Sequence, residues 1–168
     1  RGTAGVLGAF DDLIDTNREL VARMEALLAS LFEEQGFDSN GGDGVLADVL
    51  AVNPFYPKPK GEAPYVDMAA LPTRGARVET VSSRVASGGA RFTTGDTLLA
   101  RITPCLENAK TAYVDFLDSG SVGVGSTEFI VLRDAIGVSP HWPYFLARSE
   151  RFRSYAIRHM TGTSGRPR

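Results

Sequence analysis

Between Phe10 and Leu31 apolar side chains return after three and then four residues, at Phe10, Leu13, Leu20, Met24, Leu27 and Leu31. This is the spacing of heptad a and d positions, which line one side of a helix. Asn17 occupies an a position in the same series. A second column, Ile14, Val21 and Leu28, runs beside the first, so the seam is wider than a simple two-stranded zipper needs. Asp11 to Gln35 contain no Gly or Pro and are rich in Leu, Ala, Glu and Arg. The pattern therefore predicts a helix about 37 Å long over 11–35. Asp11, Asp12 and Asp15 are expected in its first turns, at the positive end of its dipole, and Gly36 at its C-cap. Such a helix either packs flat on its own domain or pairs with another as a coiled coil. Asn17 favours pairing, because a buried Asn in a seam fixes register at a cost in stability.

After a Gly/Asp/Ser/Asn stretch at 37–44 that reads as a flexible link, the period shortens to that of strands. Short β-like runs are expected at 45–54, 64–71, 76–81, 93–104, 110–117 and 126–134, with a Pro-rich, helix-free loop at 55–64. The run GSVGVGSTE is expected to make a turn before the last of these strands. Residues 139–160 return to a helical pattern, placing Trp142, Phe145, Leu146, Phe152, Tyr155 and Ile157 on one run with Arg148, Arg151, Arg158 and His159 between them. The aromatics are expected in the core. Strands in the middle and helices at the two ends indicate an α+β chain.

The chain has 168 residues, 43% apolar and 23% charged, enough for a real core and unlike a disordered or collagen-like composition. No run approaches the ~20 apolar residues of a membrane-spanning helix. The single cysteine, Cys105, cannot form an internal disulfide, which suits a reducing, cytoplasmic compartment. A start at Arg1 rather than Met suggests a piece of something longer. Net charge is only −2, but it is unevenly spread: residues 1–50 carry three basic and ten acidic side chains, and residues 141–168 carry six arginines against Glu150. An acidic start and a basic end suit a chain that turns its far end to a polyanion.

Catalytic chemistry finds little support. Cys105 could pair with His141 or His159 only by folding, and nothing in the sequence brings them together. GSVGVGSTE lacks the Lys and spacing of a phosphate-binding loop, and no His/Cys/carboxylate cluster has metal-ligand spacing. No catalytic residue, metal or cofactor is expected.

Three segments in order carry a family resemblance: AFDDLIDTNRELVARMEALLASLFEEQGFD (9–38), GDTLLARITPCLENAKTAYV (95–114) with GVGSTEFIVLR (123–133), and YFLARSERFRSYAIRHMTGTSGRPR (144–168). They resemble the central helix, the body and the end of a target recognition domain in type I restriction-modification specificity subunits. The resemblance implies a long coiled-coil-type spacer helix at 9–36 and a mixed β-rich target recognition domain at 45–168 that ends in a helix. It implies a non-catalytic protein that reads half of a bipartite site in double-stranded DNA. Its expected partners are methyltransferase subunits, which bind S-adenosylmethionine, and restriction subunits, which cleave DNA using ATP. A complete member has two recognition domains and two antiparallel helices, whereas this chain has one of each. It is thus expected to be a fragment, or a half-subunit that rebuilds the two-fold arrangement by dimerising through Phe10, Leu13, Asn17, Leu20, Met24, Leu27 and Leu31.

Base readout needs Arg, Asn or similar donors and acceptors on loops and strand ends. The candidates are Arg101, Thr103, Asn108 and Lys110 around one turn, Lys58 and Lys60 on the Pro-rich loop, and Arg74 and Arg77 on the PTRGAR turn. Ser126 and Thr127 after GVG, and Thr163, Ser164 and Arg166 near the end, complete the set. Arg101, Asn108, Lys110, Thr163, Ser164 and Arg166 are expected to hold structure or phosphates more than to read bases. The competing reading is a protein-interaction module that dimerises through its helix and never touches DNA.

Overall fold

The structure, a computed structural model, describes residues 3–34 and 45–160. Gly36, the 37–44 link, Thr163, Ser164 and Arg166 lie outside the described residues. The chain divides into two compact units, Arg1–Phe37 and Asp38–Arg168.

In the first unit a single helix, α1, runs from Thr3 to Glu34, 32 residues or about 48 Å. It begins two turns before the expected start, through Gly5 and Gly8, each of which costs about 1 kcal/mol relative to Ala in a helix. The seam explains why those turns still form. Val6 continues the a/d series upstream, and Leu7 heads the column Leu7, Ile14, Val21, Leu28. Asp11, Asp12 and Asp15 consequently sit in the third and fourth turns, and the first turn holds no acidic residue. The expected dipole role for them is therefore corrected, because the dipole's effect is confined to the first turn. Asp15 instead pairs with Arg18 at 3.2 Å, in the open, where such pairs contribute little. Every apolar residue of the seam from Val6 to Leu31 is exposed in the chain alone.

Among its described residues the second unit has eight strands in two four-stranded sheets. The first sheet has the order β1 (Leu50–Val52), β8 (Phe129–Asp134), β5 (Thr97–Ala100), β6 (Thr111–Tyr113), antiparallel throughout. The second has the order β3 (Ser82–Val85), β2 (Glu62–Val66), β7 (Gly123–Gly125), β4 (Ala90–Phe92), mixed because β2 and β7 run parallel. One face of each sheet meets in a shared core containing Val66 and Phe92 from the second and Leu98, Ala100, Ala112 and Val131 from the first. The register pairs Leu98 with both Ala112 and Val131, so these share that face. Leu99, Thr97, Thr111 and Leu132 alternate to the other face, where α3 (Trp142–Arg148) packs on β5, β6 and β8. That double cover is why all four residues of β5 are buried.

Several expected elements are relocated. Residues 45–54 contain a four-residue helix, α2 (Leu46–Val49), before β1. The run 76–81 is not a strand; within it only Arg77 makes an isolated bridge, to Tyr113. Gly123–Gly125, expected as a turn, is a central strand. The glycines are required there by aromatic rings laid against them. A Cβ on Gly123 would stand 2.3 Å from Phe92 Cε2, and one on Gly125 2.7 Å from Phe129 Cδ2. The C-terminal run is two helices, α3 and α4 (Glu150–Arg158), because Ser149 leaves helical geometry and caps α4 by accepting from the Phe152 N–H at 3.3 Å. Trp142 is buried as expected, while Tyr155 is exposed and stacks on His159.

Candidate nucleic-acid interface

The chain leaves β5 at Ala100 and returns at Thr111 through a loop tied across its own backbone. The Leu106 N–H donates to the Ile102 carbonyl at 2.9 Å, Asn108 to Pro104 at 2.9 Å and Lys110 to Cys105 at 3.0 Å. The Arg153 guanidinium of α4 donates to the Glu107 carbonyl and fixes the loop from outside. Two candidate cations are engaged in this anchoring. Lys110 Nζ donates to the carbonyls of Met68 at 3.0 Å and Ala69 at 3.5 Å. Arg101 Nε pairs with Glu128 Oε2 at 3.0 Å, and its N–H donates to the Glu128 carbonyl. Ser126 Oγ accepts from the Glu128 N–H at 3.2 Å, so Ser126 shapes the adjoining β7–β8 loop. Thr103 is exposed, 3.9 Å from the Met160 sulfur. Asn108 and Thr127 are exposed, and the Asn108 side-chain amide makes no hydrogen bond among the described residues.

Residues 72–77 run along the free edge of β6. The Pro72 carbonyl accepts from the Thr111 N–H at 3.4 Å and the Ala76 carbonyl from the Tyr113 N–H at 2.7 Å. Arg148 donates to the Thr73 carbonyl at 3.3 Å. This backbone attachment leaves Arg74 and Arg77 exposed, with no ion pair among the described residues. The structure thus brings the 67–72 segment, the 101–110 loop and the 126–128 loop to one end of the first sheet.

Lys58 and Lys60 belong to a separate region. Asn53, in the left-handed conformation with φ 51°, accepts from the Val131 N–H through Oδ1 at 2.9 Å and turns the chain out of β1. The Pro-rich segment is then held by a buried ionic network. Tyr56 Oη donates to Asp96 Oδ1 at 3.0 Å, Arg133 Nε donates to the same oxygen at 2.6 Å, and the Thr93 N–H donates to Oδ2 at 2.7 Å. Arg91 donates to the Tyr56 carbonyl. Burial pushes the Asp96 carboxyl above its ordinary value, against the pull of the Thr93 N–H and Arg133. Burial also raises the Tyr56 hydroxyl, with the Asp96 charge adding to it. Clamped in this way, the loop presents Lys58, Lys60 and a Phe55 ring that is 87% exposed.

One cation escaped sequence reading. Arg84 lies on β3, whose four residues are all exposed, so no apolar alternation marked them as a strand. Its guanidinium rests over the Tyr65 ring of β2, 4.1 Å from the centroid. Cys105 packs against the shared core, and His141 stacks on Tyr113 with ring centroids 4.5 Å apart. Among the described residues no group of three or more His, Cys, Asp or Glu could hold a metal ion, and no helix is long and apolar enough to cross a membrane.

No family model matches the chain. It is 34% identical over 131 residues to the type I restriction enzyme EcoEI specificity subunit of Escherichia coli, covering 73% of this chain and 22% of that protein. It is 37% identical over 86 residues to the EcoAI specificity subunit of the same organism, covering 50% of this chain and 14% of that protein. A solved HsdS subunit from Thermoanaerobacter tengcongensis is similar with a TM-score of 0.49 and 24% identity, over 63% of this chain and 28% of that one. A structure describing complex assembly and conformational transition of the type I R-M system gives a TM-score of 0.46 and 13% identity, over 86% of this chain and 39% of that one. The two sequence matches place the chain among the components of type I restriction enzymes. Within that class it belongs to the specificity-subunit family, of whose curated members it spans about a fifth of the length or less.

Proposed function

We propose that the chain is a DNA-recognition module that reads half of a bipartite target in double-stranded DNA, without chemistry of its own. The observation that carries this reading is the pinned 101–110 loop. Its anchoring uses Arg101 and Lys110 but not the Asn108 amide, which is exposed and free of hydrogen bonds among the described residues, and this moves Asn108 from the expected structural or phosphate role to base reading. An amide held by a stiff loop loses little entropy on pairing with adenine in the major groove, a bidentate contact worth about 1–3 kcal/mol of discrimination. Thr103, Ser126 and Thr127 lie on the same cluster of loops. Arg74, Arg77, Lys58 and Lys60 serve as phosphate contacts, with Thr163, Ser164 and Arg166, outside the described residues, as further contacts. The 45–168 segment acts as the target recognition domain and the 9–36 segment as the spacer helix.

The exposed seam of α1 supports the second half of the proposal: the helix pairs with another helix, in a homodimer or within a larger subunit. The assembled module recruits methyltransferase and restriction subunits in the cytoplasm. The experiment is a salt series on duplex binding by this chain. Log K should fall linearly with log salt, by about 0.9 for each phosphate contacted. Replacing both Lys58 and Lys60 with Ala should lower that slope by about 2 and weaken all duplexes alike. If the chain retains no duplex at low salt while still self-associating, the interaction-module reading replaces this one.

A further inference from the structure

The outer face of the second sheet carries a groove of about 340 Å³, to whose lining Thr127 is the one candidate residue that contributes. Its floor is the Tyr65 ring and Val124, which the register places side by side on neighbouring strands. Its wall is the strap 86–89, which crosses from the end of β3 to the start of β4. The strap is drawn tightly onto β7: a Cβ on Gly89, at φ 102°, would stand 2.0 Å from the Gly125 carbonyl oxygen. Ser87 and Gly88 line the groove from the strap and Thr127 from the β7–β8 loop. Arg84 is the one cation of the lining, no acidic residue lines it, and Arg84 has no ion pair among the described residues.

We infer that this groove seats a backbone phosphate of the duplex, with Arg84 as its charged contact and the Ser87 and Thr127 hydroxyls beside it. The Tyr65 ring against it restrains the guanidinium. Its N–H groups have no hydrogen-bond or ion-pair partner among the described residues and can form the two parallel hydrogen bonds that suit a phosphate. A base would need the ring face that Arg84 already covers. A lining with one unpaired cation and no acid is complementary to an anion rather than to a second protein's apolar surface. Thr127 stands in the chain beside Glu128, the partner of Arg101, so the groove adjoins the 126–128 loop.

This inference rests on the DNA-binding reading and is tested on the same chain with two duplexes of unrelated sequence across a salt series. Arg84→Gln, which keeps most of the stem on an exposed strand, should weaken both duplexes equally, by about tenfold at low salt. It should also lower the salt slope by about 0.9. Arg84→Lys should retain the slope, because the charge remains, and still bind more weakly because the paired donors are lost. Tyr65→Leu should likewise keep the slope. An unchanged slope and affinity for Arg84→Gln overturns the phosphate site while leaving the DNA-binding reading intact. A loss on one duplex alone makes Arg84 a base contact and overturns it too. Failure of the parent chain to bind either duplex overturns both.

Discussion

Changing Leu20 and Leu27 of α1 to Asp should abolish self-association of the chain. Both side chains are exposed in the isolated chain and lie one heptad apart on the a/d series. In a symmetric pair each substitution counts twice, so four leucines leave the interface. At about 1.5–3 kcal/mol for each buried leucine, the dissociation constant should rise by at least about 10⁴-fold. Sedimentation equilibrium would show a dimer for the parent and a monomer for the variant. The β-rich unit, which forms a separate compact body, should keep its unfolding midpoint. A parent chain that stays monomeric at high concentration would assign the seam to a different partner. Asn17 lies within the same stripe, and Asn17→Leu should strengthen pairing while loosening its register.

Arg133→Met should cost about 3 kcal/mol of folding stability near neutral pH. Asp96 is fully buried, and the substitution leaves its carboxylate without a cation. The figure is the lower end of the range for breaking a buried pair, because 35% of the Arg133 side chain remains open to solvent and its charge is partly screened. The loss should depend on pH in a definite direction. Burial already holds the Asp96 carboxyl above its ordinary value, so the stability this group contributes is fully present at low pH and is lost as pH rises through the folded value. Removing Arg133 removes a contribution that lowers it and moves the folded value higher still. The cost of the variant must therefore grow as pH climbs between the two folded values, and shrink in acid where Asp96 is neutral in both proteins. Urea unfolding across a pH series from acid to neutral measures this. An equal loss at every pH would mean that Arg133 acts through its bonds to Thr93 and Thr94 rather than through charge.

The features legible in the sequence were those fixed by periodicity within one element. The α1 seam and the strands at 97–100 and 129–134 follow directly from apolar spacing, as does the α+β class. What escaped depends on contacts between distant segments. Gly123–Gly125 carries no strand signal of its own, and becomes a strand because Phe92 and Phe129 need flat backbone beneath their rings. Residues 82–85 are exposed throughout and become a strand only by pairing with β2. The same reason hides Arg84, since its stacking partner Tyr65 lies 19 positions earlier in the chain. Conversely, the groups that engage Arg101 and Lys110, Glu128 and the Met68 carbonyl, are remote in the chain and could not be named from the sequence. A tally of basic residues cannot distinguish Arg101, held by a carboxylate, from Arg74, which has none among the described residues.

The most direct test of sequence-specific DNA recognition is a binding selection. The chain would be incubated at low salt with a randomised duplex library, and the retained molecules sequenced, for the parent and for Asn108→Ala. The parent should enrich one short motif, and two copies at fixed spacing if α1 pairs the modules. Asn108→Ala should lose preference at a single position of that motif while keeping the rest. Retention without enrichment, or an Asn108→Ala variant that weakens every sequence alike, would contradict base readout from the 101–110 loop.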